Sequence, residues 1–265
     1  MNKAVLFTLI IPSISLASPY SDKVCKSGQV PENVVCEKLS TKKIANTWEE
    51  IFPNKNELAL VQRLNRSNTT LWKGRFIILP KDKSDLDVMH YSPFPLVLSP
   101  PIAEHFSKEN LVVVDLDNLA WGAYDEKGTL ARWSVANGGR GLCPETGKYE
   151  CYTPTGTFKV VRKGNYWTRS KLYPVECANK KKCGFRMFYY MGFGPKGEGI
   201  HGAKNLPGFN ASHGCVRSFT ADVKWLNTSF LKVGSVIKVV GKPFRRKTSA
   251  RIIETENEES KDKNN

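Results

Sequence analysis

The segment Asn210–Phe219, NASHGCVRSF, sets a histidine, a glycine and a cysteine in succession, with an arginine two positions on. Three chemistries use such a set: a metal site, a disulfide beside a bystander histidine, or a thiol nucleophile with its base. His201, His213 and Cys215 are acceptable zinc ligands, but a structural site needs a fourth, and the chain has no CxxC or HExxH pattern. A three-ligand catalytic site stays open at this point.

As a nucleophile, Cys215 needs a neighbour that helps form the thiolate. An imidazole can draw a thiol from about 8.5 towards or below neutral. His213 lies two residues away, on the same side of an extended segment. His201 stands on a separate strand-like segment, GIHG, and opposed rigid elements fix an angle better than one shared loop. His201 is therefore expected as the base and His213 as its support. Gly214 permits a tight, positive-φ backbone. It also lets the N–H groups of Gly214 and Cys215 approach an acyl oxygen as an oxyanion hole. Arg217 offers a charged planar fork for a substrate carboxylate. Ser212 is a candidate substrate contact, or a hydroxyl that caps the turn.

The elements that must position these residues follow from punctuation and periodicity. Residues 1–17 combine Lys3, the apolar run Ala4–Ile11 and the small-residue end Ser15-Leu16-Ala17, which reads as a secretory signal cleaved after Ala17. Pro12 breaks the run, and no later stretch is long and apolar enough to span a bilayer. Export makes disulfides the default for cysteine. The seven cysteines contain three close pairs, Cys25 with Cys36, Cys143 with Cys151 and Cys177 with Cys183, and a solitary Cys215. That pairing rests on proximity alone. The formal charge of +15 would suggest nucleic acid inside a cell; outside it, an acidic polymer or a membrane surface is the better partner, and solubility alone explains the charge equally well.

Residues 18–85 read as a small α+β module. Leu58, Val61, Gln62 and Leu64 keep helical spacing, NRSN stops the helix, and LWKGRFIILP gives a turn and a strand. Trp48 and Trp72 are core residues or sugar platforms. Residues 86–108 are rich in proline and read as an extended linker, with His90 and His105 as surface or structural residues. From 109 to 241 short strands dominate: LVVVDLDN, a hairpin turning at Lys127-Gly128, TPTGTFKVVRKG, FRMFYYMGFG, GEGIHG and GSVIKVVG. One helix, TADVKWLNTSF, is entered through Thr220. The fold class is mainly β, a sandwich or barrel-like domain with one short helix. Residues 242–265 mix charges without apolar periodicity and read as a disordered tail.

IHGAKNLPGFNASHGCVR closely resembles the signature of L,D-transpeptidase (YkuD-like) catalytic domains: His-Gly, a spacer, then Ser/Thr-His-Gly-Cys-x-Arg or Asn. TPTGTF resembles the hairpin those domains place before the catalytic strands. The spacer between His201 and Ser212 is shorter than in many members. The close of the N-terminal module, W-x-G-x-x-I-x-x-P after an asparagine-rich turn, is similar to a LysM-type glycan-binding module.

The catalytic resemblance implies an exported, periplasmic enzyme that acts on peptidoglycan stem peptides. Cys215 would attack the L-centred third residue of a tetrapeptide stem and expel the terminal D-alanine, and an amine would resolve the thioester. It further implies that His201 is oriented by the Gly202 carbonyl, that His213 and Arg217 support and bind substrate, and that carbapenems acylate the cysteine. The same resemblance implies no metal and no organic cofactor. Two competing functions remain: an L,D-carboxypeptidase or endopeptidase that lets water resolve the thioester, and a non-catalytic peptidoglycan-binding protein.

Overall fold

A computed structural model describes residues 18–40, 47–100 and 109–242. The expected signal segment, His105 and nearly all of the expected polar tail lie outside the described residues.

The N-terminal region starts with helix α1 (Tyr20–Lys26) and strand β1 (Val34–Lys38). Helices α2 (Trp48–Ile51) and α3 (Lys55–Leu64) follow, and then strand β2 (Phe76–Pro80). Both helices start on side-chain caps. Thr47 and Glu50 form a reciprocal capping box, and Asn54 accepts from the N–H groups of Asn56 and Glu57. The α3 spacing buries Leu60, Val61 and Leu64, while β1 and β2 pair antiparallel. Trp48 is a core residue that donates its indole N–H to Thr69 O at 2.8 Å. Trp72 stays 46% exposed and is the one available as a platform.

The larger domain is a β-sandwich. One sheet has five strands in the order β5-β4-β3-β11-β6: Leu130–Val135, Ala120–Tyr124, Leu111–Asp115, Val236–Val240 and Gly156–Lys159. The other has four, β10-β9-β8-β7: Val216–Phe219, Gly199–Ala203, Phe188–Gly192 and Arg162–Lys163. Neighbours are antiparallel except β3 with β11 and β9 with β10. The run TPTGTFKVVRKG is two strands, because at Val160-Val161 the chain changes sheets. Val160 N–H bonds Ser235 O, and Val161 N–H bonds Gly192 O.

Val112, Val114, Trp121, Ile237 and Val239 of the first sheet meet Met191, Ile200 and Val216 of the second. The single-turn helix α4 (Lys180–Cys183) and helix α5 (Thr220–Trp225) complete the domain. Val223 of α5 seals one end of the core, with Leu226 from the π turn that continues the helix. The cap of α5 differs from expectation. Phe219 holds that position without a side-chain bond, and Thr220 is already the first helical residue.

The proline-rich segment also differs. Instead of running free, it forms a 3-10 turn, Val88–Tyr91, with Tyr91 buried. Val88 O accepts the Trp133 indole N–H at 2.7 Å, and Phe94 packs beside Leu111 and Leu130. The segment and the N-terminal module cover the outer face of the five-stranded sheet, where Ala120 and Trp133 join Leu60, Leu64 and Ile78 in one cluster. With both faces covered, β4 (AWGAY) is buried throughout and shows no polar alternation. Among the described residues no helix is long and apolar enough to cross a membrane.

Candidate active site

The parallel pairing of β9 with β10 opposes His201 to Arg217 and Ile200 to Val216. Ile200 and Val216 enter the sandwich core, so strand alternation turns His201 and Arg217 to the opposite face. Cys215, one residue before β10, shares the parity of Arg217 and that face. This is the floor of the site.

His201 is 6% exposed, and its Nδ1 lies 2.9 Å from Gly202 O. A carbonyl only accepts, so Nδ1 carries the proton and Nε2 is left as the basic nitrogen. Burial pulls the imidazole down to about 4, against the Gly202 bond and with help from Arg217. Gly202 cannot be replaced by a larger residue, since a Cβ there would sit 2.8 Å from the Cα of Thr220 at the start of α5.

Cys215 is the one cysteine outside a disulfide and keeps partial exposure. Its sulfur lies 4.0 Å from Gly197 O. Burial pushes the thiol up to about 11. The Gly199 backbone, Arg217 and Arg162 act in the opposite sense, and Glu198 adds to the rise. This corrects the sequence expectation of a thiol drawn down by an imidazole. Both partners are neutral at pH 7, which leaves His201 free to accept a proton. Arg217 is partly buried, its guanidinium lowered by desolvation, and no described carboxylate lies within salt-bridge distance of it.

The turn before Cys215 selects between the two roles expected for Ser212 and narrows the expected oxyanion pair. The Ser212 hydroxyl donates to Cys215 O and accepts the Gly214 N–H at 3.0 Å. Ser212 is thus engaged within the turn rather than turned to substrate. Gly214 N–H, already bonded, is not a free oxyanion donor, so the Cys215 N–H remains of the expected pair. Gly214 adopts φ 122°, the glycine conformation its position called for. Thr153 braces the turn: its Oγ1 donates to Gly214 O and accepts from Gly139 N–H, both at 2.8 Å.

His213 faces a different group of residues. Its Nε2 is 2.8 Å from Glu145 Oε1, and its ring stacks on Tyr173 with centroids 4.1 Å apart. Glu145 lies within the loop closed by Cys143–Cys151, and Tyr173 lies in the loop segment just before the turn closed by Cys177–Cys183; the third disulfide is Cys25–Cys36. Together the loops form a rim beside the floor. Burial raises the phenols of Tyr173 and Tyr190; Glu145 and Glu150 and then Cys215 add to the rise at Tyr173, and Cys215 adds to it at Tyr190 against the Arg162 hydrogen bond. Tyr190 donates to Gly197 O at 2.9 Å and lies against Gly199, where any Cβ would come within 2.4 Å of its ring.

Sequence reasoning missed Glu145, Thr153, Arg162, Tyr173, Tyr190 and Glu198. Only TPTGTF gave a signal, and it pointed to a turn rather than to the Thr153 hydroxyl. A metal fits poorly here. Among the described residues the cluster of potential ligands within 4.8 Å of one another is Glu145, Cys151 and His213, and Cys151 is bonded to Cys143. His201, His213 and Cys215 form no such cluster.

Comparison with known proteins follows the same segment. Residues 109–239 match the YkuD family, described as the L,D-transpeptidase catalytic domain. No curated protein gives a significant match. Among solved structures, an L,D-transpeptidase from Xylanimonas cellulosilytica is 24% identical over 70% of this chain and 79% of its own, with a TM-score of 0.49. One from Mycobacterium smegmatis is 22% identical over 50% and 59%, with a TM-score of 0.39. L,D-transpeptidase 3 from Mycobacterium tuberculosis, in complex with a faropenem-derived adduct, is 19% identical over 50% and 60%, also at 0.39. The chain thus spans under two thirds of the two mycobacterial structures.

Proposed function

Because residues 109–239 belong to the YkuD family of L,D-transpeptidase catalytic domains, we propose that this chain is a peptidoglycan L,D-transpeptidase with Cys215 as nucleophile and His201 as base. His201 Nε2 takes the thiol proton as sulfur attacks the carbonyl of the L-centred third residue of a tetrapeptide stem. The tetrahedral intermediate collapses, the C–N bond breaks, and the proton passes to the departing D-alanine amine. An acceptor amine then attacks the thioester, gives its proton to His201 and restores the thiol. The product is a new amide that forms or remodels a wall cross-link.

The neutral thiol and neutral imidazole suit this order, since the proton moves only when substrate is in place. Cys215 N–H is the donor for the oxyanion, and Arg217 is the anchor for a stem carboxylate. The observation that carries the reading is the fixed tautomer of His201, whose basic Nε2 shares a face with the one unpaired cysteine. No metal or organic cofactor takes part. Carbapenems are expected to acylate Cys215. Three disulfides support an oxidising compartment, and the periplasm is the address this function needs. The N-terminal module is proposed as LysM-like, with the half-exposed Trp72 as its available sugar platform.

A defined tetrapeptide muropeptide incubated with purified protein tests the proposal. Cross-linked dimers with released D-alanine support transfer. Tripeptide alone identifies an L,D-carboxypeptidase, and unchanged substrate leaves a non-catalytic wall-binding protein.

A further inference from the structure

The short connection from His201 to Cys215, residues 203–211, does not stand alone. It is held by the N-terminal module, chiefly through one side chain. The Asn68 amide donates to Lys204 O at 2.9 Å, while its oxygen accepts the Leu206 N–H at 2.8 Å. Asn68 N–H adds a bond to Leu206 O at 3.1 Å. An asparagine side chain offers a donor and an acceptor side by side, so Asn68 pairs with the connection as a neighbouring strand would. Leu206, between these bonds, is fully buried.

The contact continues on either side. Ser67 and Pro207 form an antiparallel bridge, and Tyr20 N–H donates to Gly208 O at 2.7 Å. Gly208 N–H reaches Asn137 Oδ1 at 3.3 Å, and Asn137 exchanges two backbone bonds of 2.9 Å with Arg217. Gly208 can hold only a glycine's volume comfortably: a Cβ would press on Asn65 O and Ser67 Cβ at 3.3 Å, at a φ of 81°. Behind the clamp, Arg66 is buried with its guanidinium between Tyr20 and Trp133, 4.7 and 4.9 Å from the ring centroids, and its Nε bonded to Asn118 O.

We propose that the N-terminal module positions the active site, with Asn68 as the positioning residue that holds the His201–Cys215 connection in its working shape. A short connection has little slack, so displacement at Leu206 is passed to both ends. Residues 67 and 68, which follow α3, therefore face the catalytic domain and are not open to a glycan strand. The consequence for turnover rests on the assignment of His201 and Cys215 as base and nucleophile; the positional claim does not.

The test uses the full chain with Asn68→Ala, Asn68→Asp and, as a control at an exposed position of the same loop, Lys73→Ala. Three quantities are read: backbone hydrogen exchange over residues 203–212, the pH profile of Cys215 alkylation by iodoacetamide, and kcat and KM on the tetrapeptide. Asn68→Ala is expected to speed exchange over 203–212 about tenfold, the factor contributed by one or two net hydrogen bonds. It should displace the alkylation profile and lower kcat by a similar factor with KM within about twofold. Asn68→Asp, which keeps the acceptor for Leu206 and loses the donor to Lys204, should fall between, and it carries the same comparison if Asn68→Ala does not fold. Lys73→Ala should match wild type in all three. Exchange and alkylation unchanged in a folded Asn68 variant would overturn the proposal. Wild-type protein that turns over no tetrapeptide would instead count against the proposed function, with exchange and alkylation still deciding the clamp.

Discussion

The floor and the rim of the site are built by opposite means. The floor, His201 on β9, Arg217 on β10 and Cys215 immediately before β10, is set by strand register, with Ile200 and Val216 of the same strands anchored in the core. The rim, Glu145, Tyr173 and His213, is set by side-chain contacts between loops, one of them closed by Cys143–Cys151 and another running into the turn closed by Cys177–Cys183. A register cannot drift by one residue without turning each side chain to the other face, whereas a loop shifts by small amounts at small cost. The floor should therefore govern chemistry and the rim should govern binding. The two histidines illustrate it: His201 is buried and bonded to backbone, while His213 meets a carboxylate and an aromatic ring.

Substitutions test that division, starting with the largest effect. Cys215→Ala should lower turnover by about 10^4-fold or more with the fold intact, because nothing else in the site can hold the acyl group. Residual turnover of the order of wild type would move the chemistry off the floor. His201→Ala should lower kcat by about 10^2- to 10^4-fold, the usual range for a positioned base. If KM moved instead of kcat, His201 would belong functionally with the rim.

The pH profile sharpens the same contrast. His201 is lowered to about 4 and Cys215 raised to about 11, so both are neutral between those values. Alkylation of Cys215 by iodoacetamide should keep rising with pH until close to 11. A plateau at neutral pH would instead reveal a thiolate–imidazolium pair. The sign for stability is also defined. Unfolded His201 binds a proton at about 6.5 and the folded one only near 4, so its contribution is present above the unfolded value and is lost as pH falls through that window. Thermal denaturation of wild type against His201→Gln across this window reads it.

Rim changes should be milder. Glu145→Gln removes the charged partner of His213 and should raise KM by about three- to tenfold with kcat nearly unchanged, as expected where one charge-assisted hydrogen bond is lost. A kcat loss matching that of His201→Ala would erase the distinction between floor and rim.

The same distinction explains what the sequence could reveal. His201 and Cys215 were legible because each sits in a short local pattern, IHG and SHGC, whose glycines record tight packing: Gly202 against Thr220, Gly214 at φ 122°. The strands of the sandwich were legible from β-branched runs and turns. The rim was not, since Glu145 meets His213 across 68 positions and no periodicity links them. The docked proline-rich segment was missed for a related reason: Pro93 and Pro95 flank Phe94, and the apolar residues around it keep neither a strand nor a helix period. A clue lay elsewhere, in AWGAY, whose lack of polar alternation marks a strand covered on both faces. The thiol was misjudged because proximity of an imidazole in sequence says nothing about desolvation.

The most direct test of the central claim is the intact mass of the protein during turnover of a tetrapeptide stem. The account predicts a covalent species heavier by the stem less its terminal D-alanine, present on wild type and absent from Cys215→Ala. Product formation by wild type with no such species, or the same added mass on Cys215→Ala, would contradict it.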